Sequence, residues 1–284
     1  MSDHQIGFAL HQMKRDAMFR DIITAPPGYT LVEFDAAGQE FKWMAVASGD
    51  QTMLQLCQPG EDPHGFMGSR INPALSYPGI IDLVKKKDPV AKAARQSGKV
   101  GNLSLQYRTS PKTFRTRARV DHGMDMTLPE AARIHFVYQR SYPGVPAYWE
   151  KQIALTKECG YVETFAGRRV QVRGDWSGRM GWSMGSTAIN YRIQGTGADQ
   201  KYLALATLTP YLLKVGAKFS YDLHDGLYFL VPDARVSEFC RVAKHMLDTL
   251  PYREAWGFTP PVQMNWDCKA GKSWGTMKEF EFDV

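Results

Sequence analysis

Two aspartates in strand-like segments enclose most of this 284-residue chain. Asp35 ends the run 30–35, and Asp225 lies between two β-like runs within 218–231, all rich in β-branched and aromatic residues. The segment between the two aspartates is predicted to be mostly helical. The chain alternates too tightly for two independent domains, so we predict an α+β fold in which a helical region is inserted into a sheet-based domain.

Local patterns predict most of the elements, through capping boxes, proline in first turns and glycine at helix ends. The predicted elements are a strand at 30–35; helices at Gln39–Ser48 (ending at Gly49), 51–57 and Pro89 to about Tyr107; a helix opened by the capping box at Thr127 and running to about Tyr142; a helix ending at Cys159 before Gly160; a hairpin at 161–172; a helix starting at Thr196 and continuing to Leu213; two strands within 218–231 joined at Asp225-Gly226; and a helix at 234–249.

The charge balance weakly favours a polyanionic partner. The chain has 35 Lys and Arg against 29 Asp and Glu, a formal net charge of +6. The clustering is more informative, because one stretch carries many cations opposed only by Asp88. These cations are Lys85, Lys86, Lys87, Lys92, Arg95 and Lys99.

Cysteine usage and the N-terminal sequence indicate a soluble, cytoplasmic protein. The four cysteines have no paired spacing, which favours reduced thiols over a zinc site or a disulfide framework. The first residues lack the basic and apolar regions of a signal peptide. No apolar run approaches the roughly 20 residues of a membrane span, so we expect no membrane partner.

The predicted helix at 90–107 carries a stripe of spaced side chains. Arg95, Lys99, Leu103 and Tyr107 recur every four residues, which makes a stripe roughly 18 Å long on one side of a helix. Such a stripe could span a triphosphate, with cations at one end and a base on Tyr107 at the other. The alternative is a solvated basic face above an apolar core, which is more common. Gly98 and Gly101 favour the first hypothesis, because each costs about 1 kcal/mol in a helix and suggests a close approach.

The other candidate residues are ambiguous when each is taken alone. Asp225-Gly226 is typical of a hairpin turn, and Asp35 is simply an acid at a strand end. Glu40 suits the first turn of a helix, where the dipole favours negative charge. His64 also fits an ordinary loop. An acid, a basic helix and a second acid are nevertheless what magnesium-dependent nucleotidyl transfer needs.

Seven short motifs in one order give these residues a context. Together the motifs resemble the C-terminal polymerase region of family-A DNA polymerases, the bacterial DNA polymerase I type and its phage relatives. The motifs are Phe34–Glu40 (an Asp followed five residues later by a Glu), Asp62–His64, Arg95–Tyr107, Glu163–Arg169, Asn190–Thr196, His224–Asp225 and Gly271–Trp274.

The resemblance implies a right-hand polymerase palm, made of an antiparallel sheet with helices, and an inserted helical fingers subdomain. The implied boundaries are residues 1–52 and 186–284 for the palm and 53–185 for the fingers. Asp35 and Asp225 would hold two Mg²⁺ ions, helped by the Ala36 carbonyl, with Mn²⁺ able to substitute. The reaction implied is dNTP addition to a primer 3′-hydroxyl on a primer–template DNA.

The resemblance also assigns roles around the nucleotide. Lys99 would act at the α-phosphate and as a general acid toward pyrophosphate. The remaining assignments are Arg95 and His64 on the outer phosphates, Glu40 against a ribose 2′-hydroxyl, Leu103 near the sugar, Tyr107 stacking at the insertion or templating site, Arg168, Asn190 and Gln194 on primer or template, and His224 near the primer terminus.

The chain departs from the family pattern at several positions. Leu103 replaces a Phe or Tyr, and Ser186 replaces an arginine that often contacts DNA. Gly226 replaces the Glu that usually follows the third-motif Asp, and Asp222 falls where Gln is frequent. These changes predict a weaker grip on DNA or altered fidelity and sugar discrimination.

The length before the first motif is short for the family. Only 34 residues precede Asp35, whereas the family places a thumb, and usually a proofreading exonuclease, before that point. We therefore expect no thumb and no proofreading in this chain. We expect either a separate protein that supplies the thumb or exonuclease functions, or a minimal enzyme that works distributively; the initiating Met1 favours a natural short gene.

Two alternatives to a DNA polymerase remain open. One is a single-subunit RNA polymerase of the related phage type, which Glu40 disfavours because a 2′-hydroxyl needs space there. The other is a non-catalytic nucleic-acid-binding protein that keeps the fold, which the presence of Asp35, Asp225 and Lys99 disfavours.

Overall fold

A computed structural model describes residues 17–282, and these residues form parts of two compact units. The first unit comprises the described parts of Met1–Ala37, Ala198–Ala255 and Met264–Val284; the second comprises Gly38–Gly197 and Trp256–Gln263. The predicted palm and fingers boundaries stay predictions.

Seven strands and twelve helices make up the described chain. The strands are β1 Tyr29–Ala36, β2 Tyr161–Glu163, β3 Arg169–Gln171, β4 Lys218–Leu223, β5 Gly226–Pro232, β6 Trp266–Gly271 and β7 Lys278–Glu279. The helices are α1 Ala17–Arg20, α2 Gln39–Ser48, α3 Gln51–Leu56, α4 Pro63–Ile71, α5 Tyr77–Lys85, α6 Pro89–Leu105, α7 Pro111–His122, α8 Leu128–Ser141, α9 Gly144–Cys159, α10 Gly178–Val215, α11 Val236–Asp248 and α12 Tyr252–Trp256, with a short 3₁₀ helix at Asp233–Arg235.

The first unit is built on a five-stranded sheet in the order β4-β5-β1-β6-β7. Every neighbouring pair in this sheet is antiparallel. The prediction of a fold that mixes helices with an antiparallel sheet is therefore confirmed. β1 lies at the centre of the sheet, between β5 and β6.

The alternation of side chains along β1 separates a core face from a polar face. Val32 and Phe34 are fully buried, and the Phe34 ring meets Phe239 of α11 edge-on with ring centroids 6.2 Å apart. Because successive side chains of a strand point to opposite faces, Glu33 and Asp35 lie on the other face. The register places Asp35 directly opposite Gly226 of β5 and Asp267 of β6.

The second unit is mainly helical, and its α4 and α6 approach each other closely at Gly98. A Cβ on Gly98 would lie 2.1 Å from the His64 carbonyl oxygen and 2.4 Å from the Gly68 amide nitrogen. Gly101 is different, because the nearest atoms to its Cβ would be 3.7 Å away or more. The close approach predicted from these two glycines is confirmed at Gly98 only, and the partner there is the backbone of α4.

Several local predictions are confirmed. Helix α2 spans the predicted residues and ends at Gly49, which has a positive φ of 63°. The Thr127 capping box forms, with both of its hydrogen bonds to Glu130 present. The hairpin predicted at 161–172 is the β2–β3 pair. Helix α6 begins at Pro89 as predicted but ends at Leu105, two residues before Tyr107.

The predicted helix start at Thr196 is wrong, because α10 runs continuously from Gly178 to Val215. The Thr196 hydroxyl does not cap a new helix. It donates to the Arg192 carbonyl oxygen at 2.5 Å and accepts from the Phe165 amide at 3.1 Å. A threonine in mid-helix commonly bonds back to the preceding turn in this way, so the residue that resembled a cap is a buried link to the β2–β3 loop.

No helix within the described residues is long and apolar enough to cross a lipid bilayer.

Candidate active site

The two predicted metal-binding aspartates lie side by side in the first unit. Asp35 is near the end of β1, and Asp225 is in the tight turn between β4 and β5, where His224 has a positive φ of 53°. The Ala36 amide donates to the Asp225 carbonyl oxygen at 3.3 Å, which joins the turn to the end of β1. The two carboxyl groups are close enough to share a hydrogen bond.

The surroundings of Asp35 disfavour its charged form. Burial, and then the neighbouring Asp225 carboxylate, raise the pKa of Asp35 well above its usual range. Glu33 adds to the negative potential, and Lys269 opposes it. Glu33 is itself fixed, because it accepts a hydrogen bond from the Tyr228 hydroxyl and lies 3.6 Å from the Lys269 ammonium.

This pair of acids fits a divalent cation. Carboxylate oxygens are the ligands that Mg²⁺ prefers, and a cation would neutralise the repulsion that raises the Asp35 pKa. No cluster of three or more potential His, Cys, Asp or Glu ligands occurs between residues 17 and 282. Position 226 supplies no carboxylate because it is a glycine, although a Cβ there would lie 3.5 Å from Asp35 Oδ1.

The predicted phosphate-binding cations gather in the second unit. Arg95 and Lys99 lie on α6, half-buried, and both lower the pKa of His64 in the first turn of α4, which places the three side chains near one another. Asp62 organises this group. Its carboxylate accepts from Arg95 Nε at 2.6 Å and Nη2 at 3.1 Å, and it also caps α4 by accepting from the His64 amide at 3.1 Å.

His64 is held in its neutral form. Burial, followed by the charge of Arg95, lowers its pKa to about 4. Its Nδ1 lies 3.3 Å from the Asn102 amide nitrogen, so neutral Nδ1 can accept a hydrogen bond there. At neutral pH the positive charge of this group therefore comes from Arg95 and Lys99.

A second group of predicted residues lines one cavity of about 810 Å³ in the second unit. Glu40, Leu103, Tyr107, Asn190 and Gln194 all contribute to its wall. Ser186, where the family often has arginine, is in the same wall, and its hydroxyl donates to the Trp182 carbonyl oxygen at 3.1 Å. The structure thus brings five sequence-predicted residues together around a space large enough for a nucleotide.

Glu40 is fixed at the edge of this cavity by two amides. Gln106 Nε2 donates to one carboxylate oxygen at 2.7 Å, and Gln194 Nε2 donates to the other at 3.1 Å. Burial, and then the Glu40 charge, raise the pKa of Tyr107. Sequence reasoning missed Gln106, although it lies within the Arg95–Tyr107 motif. The available signal was a glutamine next to Tyr107, one position after the helix end.

Arg168 is exposed, and it does not line the cavity. Its guanidinium donates to the Tyr191 hydroxyl at 2.6 Å and to the Gly195 carbonyl oxygen at 2.9 Å. Arg168 therefore braces the middle of α10, and its predicted contact with DNA stays a prediction. His224 and Asp225 belong to the first unit, whereas Lys99 and Glu40 belong to the second. The placement of the basic helix relative to the aspartate pair also stays a prediction.

Comparison with solved structures defines the class of fold. The chain is similar to a structure described as the POL domain of Pol1 from M. smegmatis in complex with DNA primer-template and dNTP. The TM-score is 0.78 at 21% sequence identity, and the match covers 94% of this chain and 44% of that chain. The fold is that of a polymerase domain.

Sequence comparisons identify the family. The model of DNA polymerase family A matches residues 9–276. The chain is 27% identical over 264 residues to the thermostable DNA polymerase I of Thermus thermophilus and 28% identical over 269 residues to the DNA polymerase of Mycobacterium phage D29. These matches cover 91% and 92% of this chain but only 28% and 37% of the relatives. The chain belongs to DNA polymerase family A.

Proposed function

We propose that the chain is a template-directed DNA polymerase that adds dNTPs to a primer 3′-hydroxyl. The observation that carries the proposal is the adjacency of the Asp35 and Asp225 carboxyl groups in a chain of this family. Independent support comes from the second unit, where Arg95, Lys99 and His64 form one group beside a shared aspartate.

Asp35 and Asp225 would hold two Mg²⁺ ions, with the Ala36 carbonyl as a further oxygen ligand. When bound, divalent ions supply Lewis-acid activation of the attacking hydroxyl and neutralise charge on the leaving phosphates. Because the pKa of Asp35 is raised, a proton on the pair would compete with a cation for the carboxylate oxygens.

The cations of α6 would hold the triphosphate. A guanidinium carries five N–H donors, and Asp62 uses two of those of Arg95, so others can reach a phosphate. The Lys99 ammonium would contact the α-phosphate side and donate a proton to the departing pyrophosphate. Neutral His64 would contribute a ring N–H to the outer phosphates.

Glu40 would select the sugar. Because Gln106 and Gln194 hold both of its oxygens, its carboxylate cannot easily move aside for a ribose 2′-hydroxyl. Tyr107 and Leu103 would form the base and sugar wall of the insertion site. Asn190, Gln194, Arg168 and His224 would contact primer or template.

Primer extension with Mg²⁺ tests the proposal. Asp35→Asn and Asp225→Asn should each abolish extension while leaving DNA affinity largely unchanged. Asp125→Asn, the same change at an exposed loop position, is the matched control and should extend normally. If the wild type binds DNA but adds no nucleotide, alone or with its neighbouring gene products, the alternative of a non-catalytic binding protein is correct.

Two variations of the assay test the finer parts of the proposal. Comparing dNTP with rNTP incorporation separates a DNA polymerase from an RNA polymerase, and Glu40→Ala should raise rNTP use. Comparing the chain alone with the chain plus co-purifying proteins tests whether a separate protein supplies thumb or exonuclease functions. Exonuclease activity from the chain alone would contradict the expectation of no proofreading.

A further inference from the structure

Two tryptophans of the second unit are each paired with a cation. The Arg108 guanidinium lies 4.1 Å from the centre of the Trp182 ring, and the Lys157 ammonium lies 5.3 Å from that of Trp176. Both distances are in the range of cation–π attraction. Trp182 is nevertheless 47% exposed, so a large part of its ring remains available to a ligand. None of these four residues belongs to the motifs shared with the family.

The Arg108–Trp182 pair lines two cavities at once. One is the cavity of about 810 Å³ that contains Glu40 and Tyr107. The other is a smaller cavity of about 260 Å³, whose wall includes Lys157 and Trp176. The shared pair makes the two walls continuous. The side chains around the predicted nucleotide site and those around Trp176 therefore meet at Trp182.

The backbone is specialised at the shared pair. Arg108 has a positive φ of 60°, a conformation that non-glycine residues seldom adopt. On the facing helix α10, a Cβ at Gly185 would lie 3.0 Å from Arg108 Nη1. The absence of a side chain at Gly185 thus gives the guanidinium room to lie over Trp182.

The alternation of tryptophans and cations along these two walls matches a single-stranded nucleic acid. Base faces stack on aromatic rings whatever their sequence, and cations beside the rings meet the phosphates. Arg108 and Lys157 outnumber the one acid of the smaller cavity, Glu150. Duplex DNA does not fit this pattern, because its base faces are already stacked.

We propose that Trp182 and Trp176 bind the unpaired template nucleotides ahead of the insertion site, with Arg108 and Lys157 on their phosphates. This inference rests on the proposed function and extends it to the unpaired part of the template strand. It predicts that affinity for primer–template depends on the length of the 5′ overhang, and that this dependence resides in the two tryptophans.

The test measures equilibrium binding by fluorescence anisotropy to primer–templates with a one-nucleotide overhang, a six-nucleotide thymidine overhang and a six-nucleotide abasic overhang. The wild type should bind the thymidine overhang most tightly. Trp182→Ala should lose about tenfold of that affinity and keep its affinity for the one-nucleotide overhang, and Trp176→Ala should do the same more weakly. Trp182→Phe should retain most of the preference.

The matched control is Met180→Ala, which truncates a neighbouring 60% exposed side chain near the start of the same helix and should change nothing. The proposal is overturned if Trp182→Ala loses affinity equally for all three substrates. It is also overturned if the wild type binds the abasic and thymidine overhangs with equal affinity. The overhang dependence is measured without catalysis. A failure of extension would therefore count against the polymerase function alone.

Discussion

At the scale of single residues, burial shifts the protonation of Asp35 in the first unit and of His64 in the second. Asp35 lies beside Asp225 on the polar face of β1, and its raised pKa means that the folded chain holds a proton there more tightly than the unfolded chain does. A buried pair of acids costs stability in this way, and perturbed pKa values of this kind are common at functional sites.

The Asp35 pKa predicts an unusual pH dependence of stability without divalent metal. Because the folded-state pKa exceeds the unfolded value of 3.8, the stabilising contribution is complete below pH 4 and is lost as pH rises through the raised pKa. Urea unfolding in EDTA should show this loss in the wild type and little of it in Asp35→Asn. Added Mg²⁺ should restore stability at high pH in the wild type only. An identical pH profile for both proteins would refute the assigned shift.

His64 predicts the opposite slope. Its folded-state pKa of about 4 lies below the ordinary 6.5, so the unfolded chain takes up the proton first as pH falls. Stability should therefore be lost between pH 6.5 and 4, by about 2–3 kcal/mol relative to His64→Gln. Urea unfolding of both proteins at pH 7 and 4.5 measures the difference. His135→Gln on α8 is the control, because burial also lowers the pKa of His135; it should not remove the loss assigned to His64.

At the scale of elements, the crossing of α4 and α6 fixes the cation group. His64, Asp62 and Gly68 are on or next to α4, and Arg95 and Gly98 are on α6. The helices approach so closely at Gly98 that the His64 carbonyl occupies the place of a side chain. Any change that separates the helices should therefore separate His64 from Arg95 as well.

The two glycines of α6 provide a matched pair of substitutions. Gly98→Ala should destabilise the protein by about 1–3 kcal/mol, because its Cβ would clash with the backbone of α4. Gly101→Ala should be neutral or stabilising by up to about 1 kcal/mol, because the Cβ has ordinary contacts and alanine favours the helix. Urea unfolding measures both, and dNTP affinity should fall in Gly98→Ala only. A neutral Gly98→Ala would contradict the close crossing.

Elements with strong local signals were predictable from the sequence, and those set by tertiary contacts were not. The Thr127 capping box and the end of α2 at Gly49 depend on a few neighbouring residues, and both occur as predicted. At Thr196 the local signal is misleading. Its hydroxyl bonds to Arg192 and to Phe165 of the β2–β3 loop. Because Phe165 is remote in sequence, local patterns do not reveal this contact, and a residue inside a helix was predicted to begin one.

At the scale of the whole molecule, the sequence predicts one part of the candidate site and not another. The pairing of Asp35 with Asp225 was predictable because motif order implied it. The partners that fix the site were not, since Asp62 on Arg95 and Gln106 on Glu40 are contacts between segments far apart in the chain. Short motifs identify the groups that do chemistry. The groups that hold them in place carry no comparable signal.

Helix α7 carries four cations against one acid, Asp121, and this excess predicts a role for the helix in DNA binding. Helix α7 buries Phe114 and Ala118 within the second unit and carries exposed cations on its other sides. These exposed residues are Lys112, Arg115, Arg117 and Arg119. A helix that is cationic outside and apolar inside suits contact with a phosphate backbone.

Neutralising α7 should therefore weaken DNA binding without regard to sequence. In Arg115→Gln/Arg119→Gln, the slope of log affinity against log salt should fall by about two, because each phosphate contact contributes about 0.9 to it. Arg235→Gln, which removes an exposed arginine already paired with Glu238 at 2.5 Å, should leave the slope unchanged. Anisotropy titrations of primer–template DNA across a range of salt concentrations measure all three proteins. If the double variant keeps the wild-type slope, α7 does not contact the phosphates and the positive charge of the molecule acts elsewhere.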